Sequence, residues 1–293
     1  MIQYKELINQ VLEHGKPRTT RNGHEVLSLF THSSKYDLRN GFPMITTKKV
    51  SFYNIYWELI WFLRGDTNIK FLLNKGVNIW NADAYREYHK SGGLLSFNDF
   101  ISRVKDSNLF AKAFGDLGNI YGKQWRSWTT PSGEPIDQIK ELLEGIKNNP
   151  TSRRHILTAW NVSDIKTMAV PPCHTLAQFY VDDGYLDCAL YQRSGDVFLG
   201  VPYNISSYSL LLTIVANLTG LKPRYFNHVI GDAHIYKDHI SQCRVQLERE
   251  CLPLPSLLSA PYKTLKELVK SDSKKHELKG YEYHGALKGK LLV

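Results

Sequence analysis

The segment from Leu176 to Leu218 restricts the fold more than any other part of this 293-residue chain. Leu176 to Val181 and Leu186 to Gln192 carry the apolar patterning of strands, and Asp183-Gly184 between them is a hairpin turn pair. Ile205 to Leu218 follows as a long helix with too few polar positions to face water along its length. Such a helix has to be buried, so the sequence predicts a sheet with helices packed against it. Other segments extend the pattern. Tyr4, Leu7, Ile8, Val11 and Leu12 have helical spacing, and Val26–Phe30 and Ile156–Trp160 read as strands. Ser51–Leu63 is a strongly apolar helix stopped by Gly65, and Ile136–Ile146 is an amphipathic helix closed by Asn148-Asn149-Pro150. Ala84–Phe114, polar and containing Ser91-Gly92-Gly93, reads as an irregular surface insert. With no repeat, heptad run or low-complexity linker, the expected organisation is one continuous domain over 1–293, with a variable insert at about 84–114.

Composition excludes several classes. At 42% hydrophobic and 22% charged residues, the chain has the apolar surface that a disordered chain lacks. Four cysteines cannot staple this length as a disulfide scaffold. Met1 to Glu6 carries charge where a signal peptide needs an apolar core. The run from Ser209 to Ala216 is far short of the roughly 20 residues that span a bilayer. The expectation is a cytoplasmic protein with reduced thiols and no membrane contact. Against 28 Asp+Glu stand 37 Lys+Arg, a formal charge of +9. That balance suits nucleic acid, an anionic membrane or an anionic small molecule, and composition does not choose among them.

Three features carry chemistry. Cys173, in Pro171-Pro172-Cys173-His174, has its backbone fixed by two prolines ahead of the thiol. It is either a nucleophile or a small buried apolar residue. Glu58 lies among Trp57, Leu59, Ile60 and Trp61. Buried there, its pKa rises and suits proton transfer; facing solvent, it is an ordinary carboxylate. Arg153-Arg154, after Thr151-Ser152, and Arg193-Ser194 pair guanidinium with hydroxyl. Each is a phosphate site or a solvated basic edge. No cysteine or histidine grouping has zinc spacing, so no metal is expected. No glycine-rich phosphate loop supports an ATPase or a nicotinamide enzyme.

Several long motifs in register resemble the thymidylate synthase family. They are Trp57-Glu58-Leu59-Ile60-Trp61-Phe62-Leu63, Ile79-Trp80, Gly115-Asp116-Leu117-Gly118 through Tyr121-Gly122-Lys123-Gln124-Trp125, and Ser152-Arg153-Arg154. Pro171-Pro172-Cys173-His174, Gln192-Arg193-Ser194-Gly195-Asp196 through Asn204, and Gly231-Asp232-Ala233-His234-Ile235-Tyr236 complete the set. The likeness runs from about Tyr4 to Val293, broken mainly by the insert. It implies an α+β, three-layer fold in which a mixed central sheet is flanked by helices, the sheets of two copies packing back to back in a homodimer.

The resemblance implies reductive methylation of dUMP at C5, with 5,10-methylenetetrahydrofolate as co-substrate. Cys173 is then the covalent catalyst, Arg193 its electrostatic partner, and Glu58 a proton relay. Tyr121 assists removal of the C5 proton and His174 tunes the surrounding water. Asn204 reads the uracil base, and an aspartate there would suit cytosine. His234 and Tyr236 take the 3′-hydroxyl. Arg21, Gln192, Arg193, Ser194 and Asp196 complete the dUMP site, with Arg153 and Arg154 reaching the phosphate of the other subunit. For folate, Asp196 meets the pterin, Ile79, Trp80, Gly200 and Tyr203 line the slot, Lys48 meets the glutamate, and Leu292 lies in the closing tail. Gly195 replaces a common cysteine, Tyr203 a phenylalanine, Asp83 a tryptophan and Leu292 a small alanine.

Two other readings differ in outcome. A dUMP hydroxymethylase adds water to the transferred carbon instead of hydride, a choice set by water exclusion near Trp80 and the tail. An inactive nucleic-acid-binding protein on the same fold needs Lys and Arg gathered in a stripe. Here, apart from Lys48-Lys49 and Lys274-Lys275, they are dispersed, so nucleic acid is not expected as a functional partner.

Overall fold

Asp183 and Gly184 have φ of 45° and 75°, the pair of left-handed conformations that a two-residue hairpin turn requires. A computed structural model describes residues 1–273 and 276–292, and the chain forms two compact units. The first comprises Met1–Phe52, Ile146–Ile156 and the chain from Cys173 onward. Numbered in chain order, its strands are β1 (Lys16–Thr19), β2 (Glu25–Asp37), β6 (His174–Asp182), β7 (Tyr185–Asp196) and β8 (Lys222–Tyr236). With β5 (Ile156–Thr158) at the edge where the chain leaves this unit, the sheet order is β1-β2-β8-β7-β6-β5. The β7–β8 pair is parallel and β2–β8 and β6–β7 are antiparallel, so the sheet is mixed.

Helix α9 (Gly200–Thr219) packs on β7 and β8 and is buried nearly all round, as its composition requires. Helix α1 (Ile2–His14) presents Tyr4, Leu7, Ile8 and Val11 inward, packs on β2 and β8, and also meets α10 (Ile240–Glu248). A two-stranded sheet pairs β9 (Ser256–Ser259) with β10 (His276–Lys279), and α11 (Leu265–Leu268) lies between them in sequence.

A change of parity in the long strands positions the site. Along β8 the buried residues are Phe226, His228 and Ile230, then Gly231, Ala233 and Ile235. Along β7 they are Leu186, Cys188, Leu190 and Gln192, then Gly195. Between the pairs His32–Ile230 and Phe30–Asp232 lies Thr31, with φ of 67°. A Cβ on Gly231 would sit 2.9 Å from Tyr191 Oη and 3.0 Å from the Arg193 carbonyl oxygen. Backbone irregularities of this kind re-aim side chains. Here Ser194, Asp196, Asp232, His234 and Tyr236 are left half-exposed.

The second unit comprises Tyr53–Gly145 and Leu157–Pro172. It holds most of α2 (Phe52–Leu63), then α3 (Lys70–Asn74), α4 (Asn81–Lys90), α5 (Phe97–Asp106), α6 (Asn108–Phe114) and α7 (Tyr121–Arg126). A two-residue pair, β3 (Trp128–Thr129) with β4 (Pro135–Ile136), precedes α8 (Gln138–Asn148). The insert is therefore helical where the sequence reading made it irregular. Ser96 and Ser107 cap α5 and α6 by accepting from the Asp99 and Phe110 amides. Tyr85, Tyr88, Phe100, Phe110 and Phe114 pack together as the insert's own core. Among the described residues, no helix is long and apolar enough to cross a membrane.

Candidate active site

Cys173 stands one residue before β6, and the Arg193 amide donates to its carbonyl at 2.8 Å across the β6–β7 ladder. That register brings Arg193 Nη2 to 3.8 Å from Cys173 Sγ. A guanidinium so placed is a counter-charge for a thiolate. Ser194 is the next residue, half-exposed.

Behind the thiol runs a chain of polar side chains whose orientations are forced. The Ser194 carbonyl can only accept, so the Gln192 amide nitrogen faces it at 2.9 Å and also donates to Asn204 Oδ1 at 3.0 Å. Gln192 Oε1 then faces His228 Nε2 at 2.8 Å, which requires the proton on that nitrogen. Burial pushes His228 down to about 3, with the charge of His174 acting the same way. His174, edge-on to the Tyr208 ring at 5.2 Å, is pushed down to about 4. Burial is the main cause and Arg193 adds to it, against a hydrogen bond with Asn204. Both imidazoles are neutral near neutral pH, and Asn204, one turn into α9, has a fixed carboxamide.

Asp196 closes β7 by accepting from the Phe198 and Leu199 amides at 2.9 and 3.0 Å, which turns the chain into α9. Gly200 and Tyr203 lie in the first turn of that helix. His234 and Tyr236 are edge-on at 5.4 Å. Burial, followed by the charges of Asp196, Cys173 and Asp232, raises the Tyr236 hydroxyl pKa. Arg21 is exposed in the turn between β1 and β2, and Arg153 and Arg154 are exposed ahead of β5. Among the described residues none of these three forms an ion pair.

Lys48 is buried. Its ammonium donates to the Phe198 carbonyl and lies 3.9 Å from the Phe198 ring centroid. Burial pushes it down to about 8, against the charges of Asp196 and Cys243. The C-terminal segment is docked in this unit: His239 Nε2 lies 3.0 Å from the Lys290 carbonyl, and Leu292 is buried. Val293, Lys274 and Lys275 lie outside the described residues.

In the second unit, Glu58 lies on α2 with an aromatic group around it. Trp80 Nε1 donates to Glu58 Oε1 at 2.8 Å, and burial pushes the carboxyl up to about 7 against that bond. Trp80 is ringed by Trp61 at 5.8 Å, Phe62 at 6.3 Å and Tyr121 at 6.3 Å. Ile79 and Trp80 are partly exposed, so an apolar edge stays open. Asp83, one turn on, is held by Arg86 at 2.7 Å, and burial still raises its carboxyl pKa.

The first unit thus brings together Cys173, His174, Gln192, Arg193, Ser194 and Asn204, and the second groups Glu58, Trp80 and Tyr121. Sequence reasoning did not single out His228, Asp232, Ser28 or His239. His228 and Asp232 lie on a strand whose Lys222, Arg224 and Asn227 blur any period-two pattern, so nothing local marked them.

Comparison with known proteins gives one family. The model for the family described as Thymidylate synthase matches residues 2–293. A thymidylate synthase of Mycoplasma genitalium is 47% identical over 295 residues, covering all of both chains. Those of Mesoplasma florum and Mycoplasma pneumoniae are 46% and 45% identical over 296 and 295 residues, again covering all of both.

Proposed function

The chain belongs to the thymidylate synthase family, and on that premise we propose that it methylates dUMP at C5 to give dTMP. The folate co-substrate, 5,10-methylenetetrahydrofolate, supplies the carbon and the hydride and leaves as dihydrofolate. The carrying observation is the 3.8 Å approach of Arg193 Nη2 to Cys173 Sγ beside a fixed Asn204 carboxamide. Cys173 adds as thiolate to C6 of the uracil, and the ring electron pair moves toward O4, making C5 nucleophilic. After C5 has taken the carbon, Tyr121 assists loss of its proton. Expulsion of the Cys173 thiolate restores the ring once the transferred carbon has parted from the folate nitrogen and has received hydride.

Asn204 keeps one lone pair of Oδ1 for uracil N3–H while Nδ2 donates to O4. Glu58, with a carboxyl near 7, relays a proton toward O4 through ordered water, and neutral His174 holds part of that water. Arg21, Arg193 and Ser194 hold the phosphate, and His234 and Tyr236 the 3′-hydroxyl. The half-exposed edges of Ile79 and Trp80, and those of Gly200 and Tyr203, suit a flat ring, with Asp196 accepting from the pterin. Leu292 and the docked tail exclude water.

The homodimer has independent support. Leu176, Tyr180 and Tyr191 are 38%, 58% and 43% exposed on one face of β6 and β7, where Leu176 pairs with Tyr191. An apolar sheet face of this kind marks an interaction surface. At its edge Gln178 Nε2 donates to the Arg153 carbonyl at 3.1 Å, so Arg153 and Arg154 hang at the border of the proposed interface. From there they serve the partner's phosphate. The four free cysteines fit a cytoplasmic setting.

The test uses 5-fluoro-dUMP with 5,10-methylenetetrahydrofolate. Fluorine at C5 blocks proton loss, so the adduct accumulates, and peptide mass mapping should find the nucleotide on Cys173. An adduct on another residue removes Cys173 from the mechanism.

A further inference from the structure

His234 holds its ring through one nitrogen and offers the other. Its Nδ1 is 3.4 Å from Asp232 Oδ1 and 3.4 Å from the Asp232 carbonyl oxygen. Neither oxygen can donate at neutral pH, because an Asp carboxyl is ionised there and a carbonyl carries no proton. The Asp232 carboxyl lies below the usual carboxylate range, first because of the His234 hydrogen bond and then because of Ser28. The proton of the neutral imidazole therefore sits on Nδ1, and Nε2 carries a lone pair. Ser28, buried on β2 and paired in register with His234, donates its hydroxyl to Asp232 Oδ1 at 2.9 Å. The carboxylate is fixed from one side by Ser28 and turned to the imidazole on the other.

We infer that Asp232 is a positioning residue which, braced by Ser28, holds His234 in the Nδ1–H tautomer and so makes the sugar end of the site specific for a hydroxyl that donates. This rests on the reading that His234 takes the 3′-hydroxyl of dUMP. A bound 3′-hydroxyl donates to Nε2 while its oxygen stays free to accept from Tyr236. A nucleotide lacking that hydroxyl leaves the Nε2 lone pair unpaired, and polar sites reject such analogues strongly. An amide at position 232 can instead turn its N–H₂ to Nδ1. The proton then moves to Nε2, and the acceptor becomes a donor.

The experiment compares dUMP with 2′,3′-dideoxy-UMP on the full-length protein, by equilibrium binding, in wild type, His234→Ala, Asp232→Asn and Ser28→Ala. Long-range ¹H–¹⁵N spectra of the imidazoles report the tautomer of His234. Wild type should prefer dUMP by at least about tenfold, the value of one hydrogen bond to an acceptor that the bound nucleotide covers. The His234 spectrum should show the proton on Nδ1. Asp232→Asn should lose most of that preference and shift the proton toward Nε2, with Ser28→Ala intermediate. Should Asp232→Asn fail to fold, as read by thermal unfolding, Ser28→Ala carries the test. Full preference and an unchanged tautomer in the substituted protein overturn the role of Asp232. Full preference in His234→Ala instead overturns the underlying reading of the sugar site.

Discussion

Trp80 Nε1 donates to Glu58 Oε1 at 2.8 Å, while burial pushes the same carboxyl up to about 7. The two effects oppose each other, since a donor to a carboxylate favours its ionised form and desolvation favours the neutral one. Trp80 thus limits how far the Glu58 carboxyl rises.

Replacing Trp80 with Phe removes the donor and keeps the apolar bulk. The limb of the kcat/KM pH profile that belongs to Glu58 should move upward. Glu58→Gln should abolish that limb and lower kcat by roughly 10²–10⁴, the usual contribution of a positioned acid or base. An unmoved limb in Trp80→Phe would mean that the indole does not tune this carboxyl.

Acid should weaken the protein through histidines that are buried neutral. His174 and His228 lie at about 4 and 3 in the folded chain, below the ordinary value of 6.5. Between the ordinary and depressed values the unfolded chain binds more protons, so stability falls as pH drops below about 6.5. Each such group contributes a slope of up to about 1.4 kcal/mol per pH unit. His228→Gln retains a donor for Gln192 and should flatten the denaturant-midpoint profile between pH 6.5 and 4. An equally steep profile in the variant would exclude His228 as a source.

Mixing two inactive variants tests the exchange of arginines. Cys173→Ser lacks the nucleophile in its own site, and Arg154→Ala fails its partner's phosphate. In a hybrid dimer, the site that keeps Cys173 receives Arg154 from the other subunit, so activity should return on mixing. Tyr191→Asp, which puts a charge on the apolar sheet face, should yield monomers by sedimentation and stop the rescue. Mixtures that stay inactive while hybrids are demonstrably present would contradict a shared site.

A methyl group on Gly289 should push the tail off Phe198 and His239. Its Cβ would lie 2.6 Å from Phe198 Cε1 and 2.9 Å from His239 Nε2. Gly289→Ala should therefore raise KM for the folate several-fold and change dUMP affinity little, measured by steady-state kinetics and equilibrium binding. Equal losses toward both ligands would mean that the tail does not act on the folate alone.

The legible part of this protein was the part written in local pattern. Asp183-Gly184 marked the hairpin because few residues tolerate two successive positive φ values, and α9 was marked by its lack of charged positions. Strand β8 escaped notice. It opens Lys222-Pro223-Arg224, and its buried parity changes at Gly231, so no single period-two pattern runs along it. The helices of the insert were hidden because they are short, α5 and α6 spanning 10 and 7 residues, and they cohere by aromatic packing among Tyr88, Phe100 and Phe110. Cys173 and Glu58 stood out by their neighbours in sequence. His228 and Asp232 act through residues distant in the chain, Gln192 across β7 and Ser28 across β2, and only folding reveals such partners.

Hydride-completed methylation of dUMP through Cys173 is tested most directly by following dihydrofolate absorbance and nucleotide mass together, with dUMP and 5,10-methylenetetrahydrofolate as substrates. One dihydrofolate and one dTMP should form for each dUMP consumed, and Cys173→Ser should form neither while still binding dUMP. Consumption of dUMP without dihydrofolate, with a hydroxymethyl product, would contradict it.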